Sequence, residues 1–199
     1  LYVMQEINIK NIIIGKQYEN SKNYEKFLEL VTEKNINLKC VEAGNKVNIE
    51  KNLYFDVLWP YSKRMISENA INNNSLVCKL VYKNFSILFT GDIEKIAENE
   101  ILDMYTNRLY LLKSNILKVA HHGSKTSSIK EFVESVSPQY ALIGVGKNNK
   151  FGHPSDGTIK NLKDEKIKIY RTDEMGEIFI NTNGKIINEL MYKNSNKSK

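Results

Sequence analysis

Cysteine, tryptophan and histidine are scarce in this chain, and each scarcity removes a class of chemistry. Two cysteines, Cys40 and Cys78, one tryptophan and three histidines stand among 199 residues. Neither cysteine has a Cys-x-x-Cys partner, which reads against a thiolate metal knuckle or a disulfide framework. Both are expected as small buried hydrophobes in strand-like runs. No apolar run approaches the roughly 20 residues of a membrane-spanning helix. The amino end, Leu1-Tyr-Val-Met4, has neither an initiating methionine nor a charged-then-apolar leader pattern. No internal repeat is found.

What is present suits one packed domain over residues 1–192. Hydrophobic residues make up 41% of the chain, with 11 Tyr and 7 Phe, enough for a core at this length. Net charge is +6, from 29 basic and 23 acidic residues. The lysines are scattered among acids, so the composition tolerates a polyanionic partner without requiring one, and a solvated basic surface is the simpler reading. Only Lys193-Asn-Ser-Asn-Lys-Ser-Lys199 is expected to be disordered.

Periodicity predicts a short strand within Ile7–Gly15 and a helix from Ser21 to Lys34, with Tyr24, Phe27, Leu28 and Val31 on its apolar face. Strands follow over Asn37–Val41 and Leu53–Trp59, the second stopped by Pro60. Tyr61–Asn74 is polar and reads as a loop. Ser75–Tyr82 and Phe85–Thr90, separated by Lys83-Asn84, have the spacing of a two-residue hairpin. Helices are predicted from Ile93 to Tyr105, with Ile93, Ile96, Ala97 and Ile101 inward, and from Ser127 to Val136. Ser155 caps a helix reaching Lys163, and Ile167–Arg171 is a strand. Asp173–Gly176 turns into a hairpin whose arms, Glu177–Asn181 and Lys185–Leu190, meet at Thr182-Asn-Gly184. Paired strands interleaved with helices indicate a layered α+β or α/β fold.

Chemistry gathers at three strand ends. Phe85-Ser-Ile-Leu-Phe-Thr-Gly-Asp92 delivers a carboxylate past a glycine turn. The buried run Ile116–Ala120 ends in His121-His122-Gly123 and a hydroxyl-rich segment. Tyr140-Ala-Leu-Ile-Gly-Val-Gly146 leads into a polar loop holding Phe151-Gly-His-Pro154. Carboxylate oxygen and neutral imidazole are the usual ligands of zinc and of harder cations, so Asp92, the tandem histidines and His153 form a candidate metal set.

Thr90-Gly-Asp92, Leu117-Lys-Val-Ala-His-His-Gly-Ser-Lys-Thr-Ser127, Gly152-His-Pro154 and Arg171-Thr-Asp173, in that order, together with Asn73-Asn-Ser75, resemble the ComEC competence family. The likeness is to its carboxy-terminal metallo-β-lactamase-like domain and covers nearly the whole chain. It implies a four-layer αββα sandwich with one or two divalent metal ions, zinc or manganese, at one edge, and DNA as the substrate. Intact members resemble polytopic membrane proteins of single-stranded DNA uptake, so membrane association would come through an upstream region. Free-standing soluble relatives exist as well. The family's His-x-His-x-Asp-His motif is absent, the histidines being His121, His122 and His153 alone. The chain is therefore expected to start just after that motif, to lack part of the amino-terminal half of the sandwich, and to be inactive by itself. Two other functions stay open: a hydrolase acting on another phosphodiester or a lactone, and a metal-free remnant that binds nucleic acid.

The resemblance makes Asp92, His153 and one or both of the tandem histidines the metal ligands, although Asp92 is equally well placed to cap a helix starting at Ile93. In an extended segment adjacent side chains point to opposite faces, so one of the tandem histidines, His121 by preference, is expected as ligand and the other, His122, as a hydrogen-bond partner of the substrate or a catalytic proton donor. Ser124, Lys125 and Thr126, with the amides opening the next helix, could hold a phosphate or simply cap that helix. Arg171 is a candidate phosphate contact, Asp173 a turn former, and Asn73 and Ser75 are expected to position a loop beside the metals.

Overall fold

The apolar run that begins at Ile116 lies inside a seven-stranded sheet. This arrangement comes from a computed structural model, which describes residues 1–16, 21–185 and 187–193, without the side chains of 188–193. The expected disordered tail lies outside the described residues except for Lys193, which ends a strand.

The chain opens with a helix that the sequence reading did not contain, α1 (Tyr2–Glu6), followed by β1 (Asn11–Gly15), α2 (Lys22–Glu33) and β2 (Asn37–Val41). Strands β1 and β2 pair parallel as a separate two-stranded sheet. Ser21 caps α2 by accepting from the Tyr24 amide at 3.2 Å. Then come β3 (Lys46–Glu50), β4 (Leu53–Trp59), α3 (Ala70–Asn73), β5 (Val77–Tyr82), β6 (Phe85–Phe89) and α4 (Lys95–Met104). The remaining α-helices and strands are β7 (Ile116–Lys118), α5 (Lys130–Val136), β8 (Tyr140–Ile143), α6 (Asp156–Asp164), β9 (Lys168–Arg171), α7 (Thr172–Met175), β10 (Glu177–Thr182) and β11 (Ile187–Lys193), with 3-10 helices over Thr106–Leu111 and Ala120–Gly123. Strands β3 to β9 lie side by side in chain order. The first four are antiparallel and β6 to β9 are parallel, while β10 and β11 form their own hairpin. The result is the mixed, layered α/β fold anticipated from the sequence.

Parallel neighbours need crossovers, and α4, α5 and α6 supply the three between β6 and β9. Leu88, Leu117 and Ala141 stand in register across β6, β7 and β8. They pack in one buried cluster with Ala97 and Ile101 of α4, Phe132, Val133 and Val136 of α5, and Leu162 of α6. Burying a leucine in this way stabilises the fold by roughly 1.5–3 kcal/mol, which anchors the parallel half of the sheet. At the antiparallel end Trp59 is fully buried, and its indole N–H donates to the Asn73 carbonyl at 2.7 Å. That bond fastens the end of β4 to α3. No helix among the described residues is long and apolar enough to cross a membrane.

Several local expectations are corrected. Strand β3 was not anticipated, because Lys46-Val-Asn-Ile-Glu50 is a mostly exposed edge strand with two apolar residues. The Tyr61–Asn74 loop contains the single turn of α3. Leu28 and Ile96 are exposed, and Cys40 is exposed rather than buried. Cys78 is half-buried, and burial pushes its thiol up to about 11, so it carries no thiolate near neutral pH. Helix α4 begins at Lys95 with Glu94 as its cap residue, so Asp92 does not cap it. Helix α5 begins at Lys130 rather than Ser127.

The late start of α5 has a physical cause in Glu98. This side chain of α4 is fully buried, and its carboxylate accepts from the Ser128 amide at 2.6 Å and the Ile129 amide at 2.9 Å. A carboxylate from one helix thus satisfies the donors ahead of the next. Burial pushes the Glu98 carboxyl up to about 7 from its ordinary 4.5, with the two amide bonds pulling it down. The folded state therefore holds this proton more tightly than the unfolded chain does. The resulting stabilisation is complete below about pH 4.5 and is lost as pH rises through about 7. Urea unfolding across that window is expected to show a falling midpoint, and Glu98→Gln, which cannot ionise, to flatten the fall. An unchanged pH profile in the variant would contradict the assignment.

Candidate functional site

Strands β6 to β9 run the same way, so the loops that leave their carboxyl ends share one edge of the sheet, where open α/β sheets place their ligands. Strand β5 runs against β6, which brings Asn73 to Ser75, just ahead of β5, to the same edge. Four segments meet there: Asn73–Ser75, Thr90–Glu94, Val119–Thr126 and Gly144–Pro154.

Two glycines let the loops close. Gly91 has φ +54°, and a side chain there would come within 2.7 Å of the Ser75 Cβ. Its carbonyl accepts from the His121 amide at 3.1 Å, and Thr90 Oγ1 donates to the Lys118 carbonyl at 2.6 Å. Gly123 has φ +82°, and a Cβ on it would lie 2.6 Å from the Pro154 Cβ. Only glycine tolerates both demands. The Gly123 carbonyl accepts from the Ser155 amide at 2.8 Å, locking the histidine pair to the loop that carries His153.

His121 and His122 are themselves left-handed, at φ 45° and 55°. Such backbone costs on the order of 1–3 kcal/mol per non-glycine residue and is characteristic of functional sites. It also overturns the expectation of opposite-facing histidines, which assumed extended backbone. The ring centroids lie 6.5 Å apart, and the His121 ring is 5.8 Å from that of His153. The His122 Nδ1 lies 2.6 Å from the Gly144 carbonyl, and its Nε2 is 3.9 Å from Asp92 Oδ1. Donation from Nδ1–H to the carbonyl leaves Nε2 as the nitrogen facing the carboxylate. The Asp92 amide donates to Ser75 Oγ at 3.3 Å. Lys118 lies close enough to feel this carboxylate: burial lowers its ammonium pKa and the Asp92 charge raises it.

The sequence reading missed Glu94. Its carboxylate accepts from Thr126 Oγ1 at 2.9 Å and from Asn69 Nδ2 at 2.8 Å, while its amide donates to Asn73 Oδ1 at 3.0 Å. His121 Nδ1, buried and without a hydrogen bond, lies 3.5 Å from Glu94 Oε1, an approach that is electrostatic rather than a formed hydrogen bond. Asn149 was missed too. It accepts from the His153 amide at 2.9 Å and donates to the His153 carbonyl at 2.7 Å, fixing the loop. Both residues sit within four positions of a noted one, a spacing that could have drawn attention to them. Beside these groups is a cavity of about 400 Å³ lined by His122, Gly144, Asn149, Phe151, His153 and Thr172, among others.

Other candidates fall differently. Ser124 is buried and shares its hydroxyl with Thr126 at 3.0 Å, and Lys125 is exposed. The amides of Ser128 and Ile129 are held by the Glu98 carboxylate and are not free for a phosphate. Arg171 is clamped by Asp173 at 3.1 and 2.7 Å and by Glu174 at 2.9 Å, and that pairing holds the Asp173 carboxyl below its ordinary range. Its guanidinium therefore serves α7, and Asp173 does more than start a turn.

The four expected metal-site residues converge, but they do not complete a site. Among the described residues no three His, Cys, Asp or Glu side chains are grouped closely enough to hold an ion. Asp92 with His122, and His121 with His153, form two adjacent pairs.

Burial, together with the charges of His121 and His122, lowers the pKa of His153 from the ordinary 6.5. An NMR titration is expected to place its midpoint below 6.5, and His121→Ala to raise it. A midpoint above the ordinary value would mean that the three rings are not neighbours. Asn73→Ala, which strands the Glu94 amide, should lower the unfolding free energy by about 1–3 kcal/mol in urea.

No protein-family model matches the chain. It is 34% identical over 176 residues to ComE operon protein 3 of Bacillus subtilis, covering 88% of this chain and 22% of that protein. It is 33% identical over 124 residues to competence protein ComA of Neisseria gonorrhoeae, and 32% identical over 129 residues to recombination protein 2 of Haemophilus influenzae. Those matches cover 62% and 65% of this chain, and 17% and 15% of the relatives. A solved structure of a proposed metal-dependent hydrolase from Parabacteroides distasonis aligns with a TM-score of 0.47 and 12% identity over 85% of this chain and 79% of that one. Over most of its own length, this chain is a homologue of about a fifth of ComE operon protein 3.

Proposed function

We propose that the chain provides one side of a metal-dependent centre that hydrolyses phosphodiester bonds of DNA, with Asp92, His121 and His153 as metal donors and His122 as proton carrier. The observation that carries this reading is the convergence of the Asp92–His122 pair, at 3.9 Å, and the His121–His153 pair, with ring centroids 5.8 Å apart, on one sheet edge. The names of the relatives, competence and recombination proteins, favour DNA over other phosphodiesters.

Catalytic metal centres take about three closely grouped protein ligands per ion, and among the described residues no such group of three forms. The remaining donors of a zinc or manganese ion would come from outside these 199 residues. His122 suits proton transfer because the Gly144 carbonyl fixes its tautomer while Nε2 stays half-exposed beside a carboxylate that steadies the imidazolium. Lys125, exposed on the histidine loop, is left as a phosphate contact. Asn73 and Ser75 hold the Glu94 and Asp92 backbones, Ser124 and Thr126 brace the histidine loop, and Arg171 braces the wall next to Thr172.

The test compares this chain with a longer protein containing it, on bis(p-nitrophenyl) phosphate and labelled single-stranded DNA with Mn²⁺ or Zn²⁺. Little turnover is expected from the chain alone. In the longer protein, His122→Ala should lower kcat by about 10²–10⁴-fold, and Asp92→Asn should weaken metal binding measured by calorimetry. Full turnover by the chain alone would refute the missing donors, and unaltered metal binding in Asp92→Asn would refute the ligand assignment.

A further inference from the structure

Phe151 is placed where a phenylalanine is costly. Its side chain is 81% exposed, yet the ring stacks against His153, with centroids 5.9 Å apart and planes inclined by 18°. Asn149 holds the segment by accepting from the Phe151 amide at 3.2 Å and the His153 amide at 2.9 Å. It also donates to the His153 carbonyl at 2.7 Å and the Gly146 carbonyl at 3.2 Å. One face of the aromatic ring is thus turned to His153 and the other to solvent, at the rim of the cavity of about 400 Å³ next to His122. The same loop carries Lys147 and Lys150, both exposed, and no acidic residue from Gly144 to Pro154.

We propose that Phe151 is a stacking platform that receives one base of a single-stranded nucleic acid, with Lys147 and Lys150 contacting its phosphates. An aromatic face interleaved with lysines is the arrangement that binds single strands without reading their sequence. A cavity of this size lies in the range of small-ligand sites and suits one nucleotide. An apolar protein partner is disfavoured, because the ring stands among lysines and glycine rather than in a continuous apolar patch. The inference rests on the proposed function only in taking a nucleic acid as the ligand of this edge. It assigns the base-binding element, which the hydrolytic reading leaves open.

The chain offers a clean reporter, since its one tryptophan, Trp59, is fully buried. Phe151→Trp adds an exposed fluorophore at a surface position. Metal-free variant at low salt is titrated with oligothymidylate and with an abasic deoxyribose-phosphate oligomer of the same length. Oligothymidylate is expected to quench the new emission, and the abasic oligomer to leave it nearly unchanged. Anisotropy with the unsubstituted chain should give an affinity for oligothymidylate roughly 5- to 100-fold above that for the abasic strand, a margin that Phe151→Ala removes. Lys147→Ala with Lys150→Ala should weaken both strands alike. Equal affinity for the two oligomers, equal affinity of Phe151→Ala and the unsubstituted chain, or no binding at all would each overturn the proposal. Base-dependent binding in a protein that never cleaves would sink the hydrolase reading and leave this one standing.

Discussion

Three successive residues in left-handed backbone, His121, His122 and Gly123, are the constraint on which the site depends. An extended chain at the end of β7 would send the two imidazoles to opposite faces of the sheet. The left-handed turn keeps both rings at the edge, and Gly123 lets that turn press against Pro154 where a Cβ could not. The contact brings the His153 loop to the histidine pair. A local conformation that is unfavourable by itself is held in place by the packing on either side of it.

Two acids at the start of α4 divide the work of supporting that turn. Glu94 faces the site and gathers Thr126, Asn69 and Asn73 around a carboxylate that also lies near the buried nitrogen of His121. Glu98, one helical turn later, faces the core and closes the start of α5. The segment between β7 and α5 is therefore tied to α4 at both of its ends. This explains how a loop rich in serine and threonine keeps one shape beyond its short 3-10 turn at Ala120–Gly123.

Much of this was legible in the residues. Leu53–Trp59, the Lys83-Asn84 hairpin and the Ser155 cap follow from alternation, turn length and capping chemistry, which are local signals. The convergence of Asp92, the tandem histidines and His153 was legible because each follows a buried strand, and parallel strands gather their carboxyl ends. Strand β3 was not legible, since an edge strand exposes most of its side chains and loses the apolar alternation that marks strands. The burial of Glu98 was hidden for the opposite reason: a charged residue gives no apolar signal, and its partners are 30 and 31 residues away.

Residue order by itself determined which side chains stand at strand ends and which glycines are free to turn left-handed, because those properties belong to single residues and their neighbours. The tertiary structure decided which nitrogen of His122 faces Asp92, that Arg171 is engaged by Asp173 and Glu174, and that Phe151 lies bare against His153. Such outcomes depend on distances between loops that only the packed sheet sets.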